Sequence, residues 1–260
     1  MEQILFFFVI LAANIIQGIT GFAGTILAMP PSLMLVGYNV AKPVLNVLGL
    51  LSGVYVFAEQ RRSVNWKEVR RIVLVMAVGI FCGIFLKTLF DGKEDLLYKL
   101  LGVFVIFLAV QGLYGQLVKK KCTAKKVSKV DTEQKEERKQ TLLTTAGNFL
   151  LLSLAGIVHG IFVSGGPLLI GYLTRRIKDK VSFRATISTV WIVLNTMIMA
   201  DDIRSGLWNP ALVKTQVISI PFLLAGMFIG SKLYAKMSQR VFMILTYILL
   251  FISGISLLIK

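Results

Sequence analysis

Two glycine-rich interruptions sit inside apolar runs, 142 residues apart: Gln17-Gly18-Ile19-Thr20-Gly21-Phe22-Ala23-Gly24 and His159-Gly160-Ile161-Phe162-Val163-Ser164-Gly165-Gly166. In lipid, backbone that leaves the helical ladder is tolerated only where its freed N–H and C=O groups meet protein or a water-filled cavity. A matched pair of such breaks predicts two related halves that share a binding site, as in secondary transporters.

The chain has 260 residues, 56% of them hydrophobic, against about 45–50% in a soluble domain. Its mean hydropathy is +0.76. Runs such as Ile4 to Ala13 and Leu100 to Val110 do not alternate apolar with polar residues, which excludes a β-barrel. The fold class is therefore an all-α polytopic membrane protein, with the lipid bilayer as its first partner. The net charge of +16 does not indicate nucleic acid, because Lys and Arg gather in the loops between apolar runs. Met1-Glu2-Gln3 is not the basic start of a signal peptide, so the first apolar run is expected to remain as a helix. Cys82 in an apolar run and Cys122 among lysines form neither a disulfide framework nor a metal site.

Read in order, Ile4 to Ile16 is an apolar run of about 20 Å, too short to cross upright. After the break, Thr25 to Val36 is a second short run, interrupted by Pro30-Pro31. Helices are then expected from Asn39 to about Ala58, from about Ile72 to Leu89, and from Leu100 to Val118, with a turn over Asp91–Lys99. Residues 119–140 carry nine cations against four acids and read as a flexible linker. The second half repeats the pattern: a short run from Leu142 to Val158, the second break, Pro167 to Leu173, then helices from about Phe183, Ala211 and Val241.

The offset of 142 superimposes Gly18 on Gly160, Gly24 on Gly166, Leu27 on Leu169, Lys42 on Arg184 and Trp66 on Trp208. With five extra residues, Gly79 and Gly83 fall on Gly226 and Gly230. The domains are thus a first transmembrane repeat over 1–118, the basic linker over 119–140 and a second repeat over 141–260. Five segments per half is an odd number of reversals, so the repeats are inverted. The net-basic pieces Glu59–Arg71, 119–140, Arg175–Lys180 and Lys232–Arg240 fall on one side, which the positive-inside rule makes cytoplasmic, with both termini outside.

The breaks supply the candidate substrate site. Gly18, Gly21 and Gly24, with Gly160, Gly165 and Gly166, let the backbone approach a ligand. The segment after each begins a helix whose N–H groups and positive dipole end face the break, an arrangement suited to an anion. Thr20, Thr25 and Ser164 add hydroxyls, Gln17 an amide and His159 a ring nitrogen. The competing reading is close helix packing by small residues. Lys42 and Arg184, each near the start of a helix, either draw anions in from opposite faces or reach to the interfaces. Asn46, Ser188 and Asn195, further along those helices, either line the cavity or bond between helices. Trp66, Trp191 and Trp208 are weak signals. No Asp or Glu lies within an apolar run, so a carboxylate proton relay has little material, and proton coupling rests on His159 alone. The sequence lacks a Walker-type phosphate loop and any catalytic cluster, so no cofactor, metal or enzymatic role is expected.

The first break with Leu27-Ala28-Met29-Pro30, and its second copy ending Ser164-Gly165-Gly166-Pro167, resembles the sulfite exporter TauE/SafE family of membrane permeases over nearly the whole chain. Where that family often shows three consecutive glycines, this chain has Phe22-Ala23-Gly24 and Ser164-Gly165-Gly166. The resemblance implies a multi-pass protein of the bacterial cytoplasmic membrane that transports sulfite, sulfonates or related sulfur anions, with the binding role on the two breaks. The residues alone point to a small anionic substrate and not to sulfur. They leave open an anion channel, or a membrane enzyme or assembly factor without transport, as well as the oligomeric state.

Overall fold

A computed structural model describes residues 2–87, 147–160 and 165–259, together with positions 99, 103, 106, 107, 109, 110, 113 and 114. The Asp91–Lys99 turn (apart from Lys99), most of the expected Leu100–Val118 helix, the 119–140 linker and Ser164 lie outside the described residues.

The described residues form helices and no strands. In the first half these are α1 (Glu2–Thr20), α2 (Ala23–Val36), α3 (Tyr38–Gln60), a 3-10 turn at Arg61–Ser63 and α4 (Trp66–Lys87). In the second they are α5 (Gly147–Gly160), α6 (Gly166–Arg176), α7 (Lys180–Arg204), α8 (Pro210–Lys236) and α9 (Gln239–Ile259). The described positions from 99 to 114 are also helical, and Ala109 is buried in the core.

Local chemistry sets several boundaries. The Asp179 side chain caps α7 by accepting from the Ser182 N–H at 2.7 Å, and Asn209 caps α8 by accepting from the Leu212 N–H at 2.9 Å. Pro210 follows Asn209 at the first helical position, where the missing N–H costs nothing. The first break is shorter than expected. α1 continues through Gln17-Gly18-Ile19-Thr20, and only Gly21 and Phe22 interrupt the ladder. At 19 residues α1 is about 29 Å long, enough to cross a hydrocarbon core of about 30 Å, contrary to the expectation from Ile4–Ile16. α2 runs unbroken through Pro30 and Pro31 but has only 14 residues, or about 21 Å. Glu2–Thr20, Tyr38–Ser63, Lys180–Arg204 and Pro210–Lys236 are all long and apolar enough to cross a membrane.

The side-chain distribution suits lipid. Leu74, Val78, Phe81 and Phe85 form an exposed apolar stripe on α4, and Val213, Val217, Leu224 and Phe228 one on α8. Asn14, Gln17, Asn46, His159 and Asn195 are buried inside. One core cluster joins Phe6 and Ile10 of α1, Met29 of α2 and Leu45 and Leu48 of α3 to Leu223 and Met227 of α8. The other joins α5, α6, α7 and α9 to Ile72, Met76 and Ile80 of α4. Each cluster thus holds the first three helices of one half and the fourth helix of the other.

Glycines make those exchanged contacts close. A Cβ on Gly18 would lie 3.0 Å from the Met227 carbonyl oxygen and from the Gly230 Cα, and one on Gly160 would lie 3.0 Å from the Ile80 Cα. Leu11 opposes Gly226 and Ile15 opposes Gly230, so α1 and α8 run parallel. Ser153 opposes Gly79 and Ile157 opposes Gly83, so α4 and α5 do too. α3 and α7 run antiparallel, with Lys42 at Asp202, Asn46 at Asn195, Gly53 at Ser188 and Glu59 at Arg184.

Candidate functional site

The first break is closed by its own side chains. Gly21 takes φ 81°, a left-handed conformation open to glycine, and its N–H donates to the Gln17 carbonyl at 2.7 Å. Thr20 Oγ1 accepts from the N–H groups of Phe22 (3.4 Å) and Ala23 (3.2 Å), and Gln17 Oε1 accepts from the Gly24 N–H at 2.9 Å. Gln17 Nε2 donates to Ser52 Oγ at 3.1 Å, tying the break to α3. The first N–H groups of α2, which the sequence offered to an anion, are therefore occupied by Thr20 and Gln17 in this conformation.

The second break is built differently. Gly24 packs against Ala13 and the Gln17 Cβ, and the residue in the matching place against Ala155 and the His159 Cβ is Gly165. The expected pairing of Gly24 with Gly166 is thus displaced by one, since Gly24 lies seven residues after Gln17 and Gly165 six after His159. Gly165 caps α6 without a side chain, and Pro167 has no N–H to offer. The first main-chain bond of α6 runs from Leu169 N–H to the Gly165 carbonyl at 3.2 Å, so the Gly166 N–H precedes the helical ladder. His159 holds Gln17's place, yet neither ring nitrogen has a hydrogen-bond partner among the described residues, and the residue is only 2% exposed. The Asn195 side chain lies beside the ring.

The two breaks meet around a small cavity. Its wall is Gln17, Phe22, Thr25 and Ile26 from the first break and α2, Gly49 from α3, His159 and Gly166 from the second break, and Trp191 and Asn195 from α7. The Trp191 ring lies 5.2 Å from the His159 ring, and its buried Nε1 is likewise without a partner. A Cβ on Gly49 would come within 2.8 Å of Asn195 Nδ2 and 3.3 Å of Thr25 Oγ1, so glycine there lets α2 and α7 close on the same point. Among the described residues no charged side chain belongs to the wall. The cavity measures about 20 Å³, room for about one water.

Of the residues singled out from the sequence, Gln17, Thr25, His159 and Gly166 line this cavity, as does Asn195. Asn46 is adjacent, donating from Nδ2 to the Asn195 carbonyl at 3.0 Å. Gly18 and Gly160 are helix contacts, and Gly21 packs on α7, 2.7 Å from Ser188 Oγ when a Cβ is built on it. Ser188 Oγ in turn donates weakly to the Gly21 carbonyl at 3.5 Å. Trp191 was, with Trp66 and Trp208, a weak signal in the sequence. A single buried tryptophan mid-helix has the pattern of any core aromatic, and only the paired polar Asn195 one turn on hinted at a cavity face.

Lys42 and Arg184 do not reach the cavity wall. Lys42 Nζ pairs with Asp202 Oδ1 at 2.5 Å, with both side chains buried. Arg184 is fully buried against Glu59 Oε2 (3.0 Å), Ser231 Oγ (2.7 Å) and the face of Tyr234 (4.4 Å to the centroid). Glu59 itself is 43% exposed. The two pairs close opposite ends of the α3/α7 seam.

The model of the Sulfite exporter TauE/SafE family matches residues 5–257. A relative from Comamonas testosteroni, named probable inner membrane transporter protein TsaS, is 24% identical over 198 residues, covering 75% of this chain and 73% of the relative. No solved structure matches significantly. Apolar helices with a polar interior, two breaks meeting at one cavity and a family match over almost the whole length agree: the chain belongs to the TauE/SafE family of membrane transporters.

Proposed function

We propose that this protein is a secondary carrier of a small oxyanion, sulfite or a related sulfur oxyanion or sulfonate, working by alternating access around the cavity between the breaks. The observation that carries the reading is the cavity wall. Both halves contribute to it, and it concentrates buried hydrogen-bonding groups: Trp191 Nε1 has no partner among the described residues, and His159 has only the Asn195 side chain beside its ring. Buried polar groups without partners are costly, and ligand sites are where such groups are kept. The sulfur chemistry is supported by the family, and the location in an inner membrane by the relative's name.

The architecture in this proposal is two inverted repeats, 1–118 and 141–260. Support comes from α3 and α7, which carry the matched cations Lys42 and Arg184 and cross antiparallel. The exchanged glycine contacts add to it, since Gly18 on Met227 is the counterpart of Gly160 on Ile80. The 119–140 linker is assigned to the cytoplasm and both termini to the outside, on the distribution of basic loops. At about 20 Å³ the cavity is smaller than any oxyanion, so binding requires the halves to part.

Thermal unfolding of the detergent-purified protein in sulfite, thiosulfate, sulfoacetate, sulfate, carboxylates and chloride tests the proposal. A ligand at 100 times its Kd stabilises the folded state by about 2.7 kcal/mol, so a selective rise in unfolding temperature is expected for the transported class. If no anion exceeds the ionic-strength control, the cavity loses its assigned role.

A further inference from the structure

The cavity's hydrogen-bonding groups are specific enough to say which ionic form of an oxyanion it suits. The inference rests on the proposed anion site and narrows it. Three donors belong to residues of the wall: Trp191 Nε1–H, the Gly166 N–H ahead of the α6 ladder, and Asn195 Nδ2. An uncharged imidazole offers one donor and one acceptor, so His159 adds a further donor and a nitrogen that must receive a hydrogen bond. Among the described residues no lysine, arginine or other charged group lines the wall, and the buried cations Lys42 and Arg184 face Asp202 and Glu59.

Charge and hydrogen bonding then select together. A dianion would bring two charges to a wall that carries no cation among the described residues, and an unpaired buried charge is strongly disfavoured. A monoanion leaves half that burden, which neutral donors and a helix N-terminus can meet. An anion with only acceptor oxygens leaves one His159 nitrogen without a partner. One that also carries a hydroxyl donates to that nitrogen, while its oxygens accept from Trp191 Nε1–H and the Gly166 N–H. Sites whose buried polar groups go unmatched by a ligand reject it strongly.

We infer that the cavity of His159, Trp191, Asn195 and Gly166 is selective for a monovalent oxyanion bearing one hydroxyl, such as hydrogensulfite, over both a dianion and a monoanion without a hydroxyl. The substrate then carries its own proton through the membrane. His159 acts as the acceptor that reads the hydroxyl, and Trp191 as a donor common to all oxyanions.

The test is equilibrium binding to the purified full-length protein at one slightly acidic pH and fixed ionic strength. The probes are hydrogensulfite, methanesulfonate and sulfate, which differ in hydroxyl and charge but little in size. Wild type is expected to bind hydrogensulfite roughly tenfold or more tightly than methanesulfonate, and sulfate least. Trp191→Phe should weaken hydrogensulfite and methanesulfonate alike, roughly tenfold, leaving their ratio unchanged. His159→Leu should erase the ratio. Methanesulfonate or sulfate binding as tightly as hydrogensulfite to wild type overturns the inference without any variant, and leaves the anion site standing. A ratio that survives His159→Leu overturns the assignment to that residue. Absence of binding by all three removes the carrier reading as well.

Discussion

The Lys42–Asp202 pair offers the sharpest energetic prediction. Its side chains are 5% and 1% exposed, the two atoms lie 2.5 Å apart, and the pair joins α3 to α7 across the two halves. Removing one member of a buried pair costs about 3–5 kcal/mol, because the pair's mutual attraction no longer offsets the desolvation of the charge that stays. Lys42→Met keeps most of the side-chain volume and strips Asp202 of the lysine charge. At about 2–4 °C per kcal/mol for a chain of this size, the unfolding temperature should drop by roughly 6–20 °C. Arg184→Met is the internal control. Its acid, Glu59, is 43% exposed and can take up water. The loss is then chiefly the bond to Ser231 and the stack on Tyr234, together about 1–3 kcal/mol. Adding Asp202→Asn to Lys42→Met should recover at least half of the first drop, since removing both charges is far cheaper than removing one. Fluorescence-detected thermal unfolding of the four proteins in one detergent measures this. Equal drops for Lys42→Met and Arg184→Met, or no recovery in the double variant, would refute the reasoning.

Other substitutions test separate parts of the account. Gly18→Ala puts a Cβ 3.0 Å from the backbone of both Met227 and Gly230, which can yield only by parting α1 from α8, and should cost about 1–3 kcal/mol in the same unfolding assay. Gln17→Leu removes the acceptor of the Gly24 N–H and the link to Ser52, and should destabilise by about 1–3 kcal/mol while freeing a donor at the first break. Tyr172→Phe deletes a 2.6 Å bond to the buried Glu68 carboxylate, neither residue being part of the cavity wall, and should lower stability by about 1.5–3 kcal/mol with anion binding unchanged. For orientation, a membrane-impermeant maleimide should label Cys122 in inside-out vesicles and not in right-side-out ones, and the reverse pattern would invert the proposed topology.

The sequence made the helical class, the breaks and most helices legible because hydropathy and glycine spacing are local signals. Gly79 and Gly83 were readable as contact glycines from their spacing, but their partners on α5 were not, since spacing does not name the facing helix. The extent of α1 was underestimated because the stretch from Gln17 to Gly24 read as one glycine-rich break, whereas in the fold the Gln17 and Thr20 side chains satisfy the backbone on the far side of a shorter one. The same fact redirects the site. Two matched breaks suggested two equivalent anion-binding helix ends, yet one is filled by Gln17 and Thr20 while at the other His159 makes no bond to the described start of α6. Lys42 and Arg184 were conspicuous as matched cations, but their acids lie at the far ends of each other's helices, 160 and 125 residues away in sequence. Pairing at that separation is set by how the halves cross, which no local pattern encodes.

The central claim, a carrier with one alternating site at the two breaks, is tested most directly by counterflow. Proteoliposomes loaded with unlabelled sulfite and diluted into a trace of labelled sulfite should accumulate label transiently above equilibrium, saturably, and less so with Trp191→Phe. Label that only equilibrates, at a rate linear in concentration, would mean a channel, and no protein-dependent entry of any sulfur oxyanion would contradict the account.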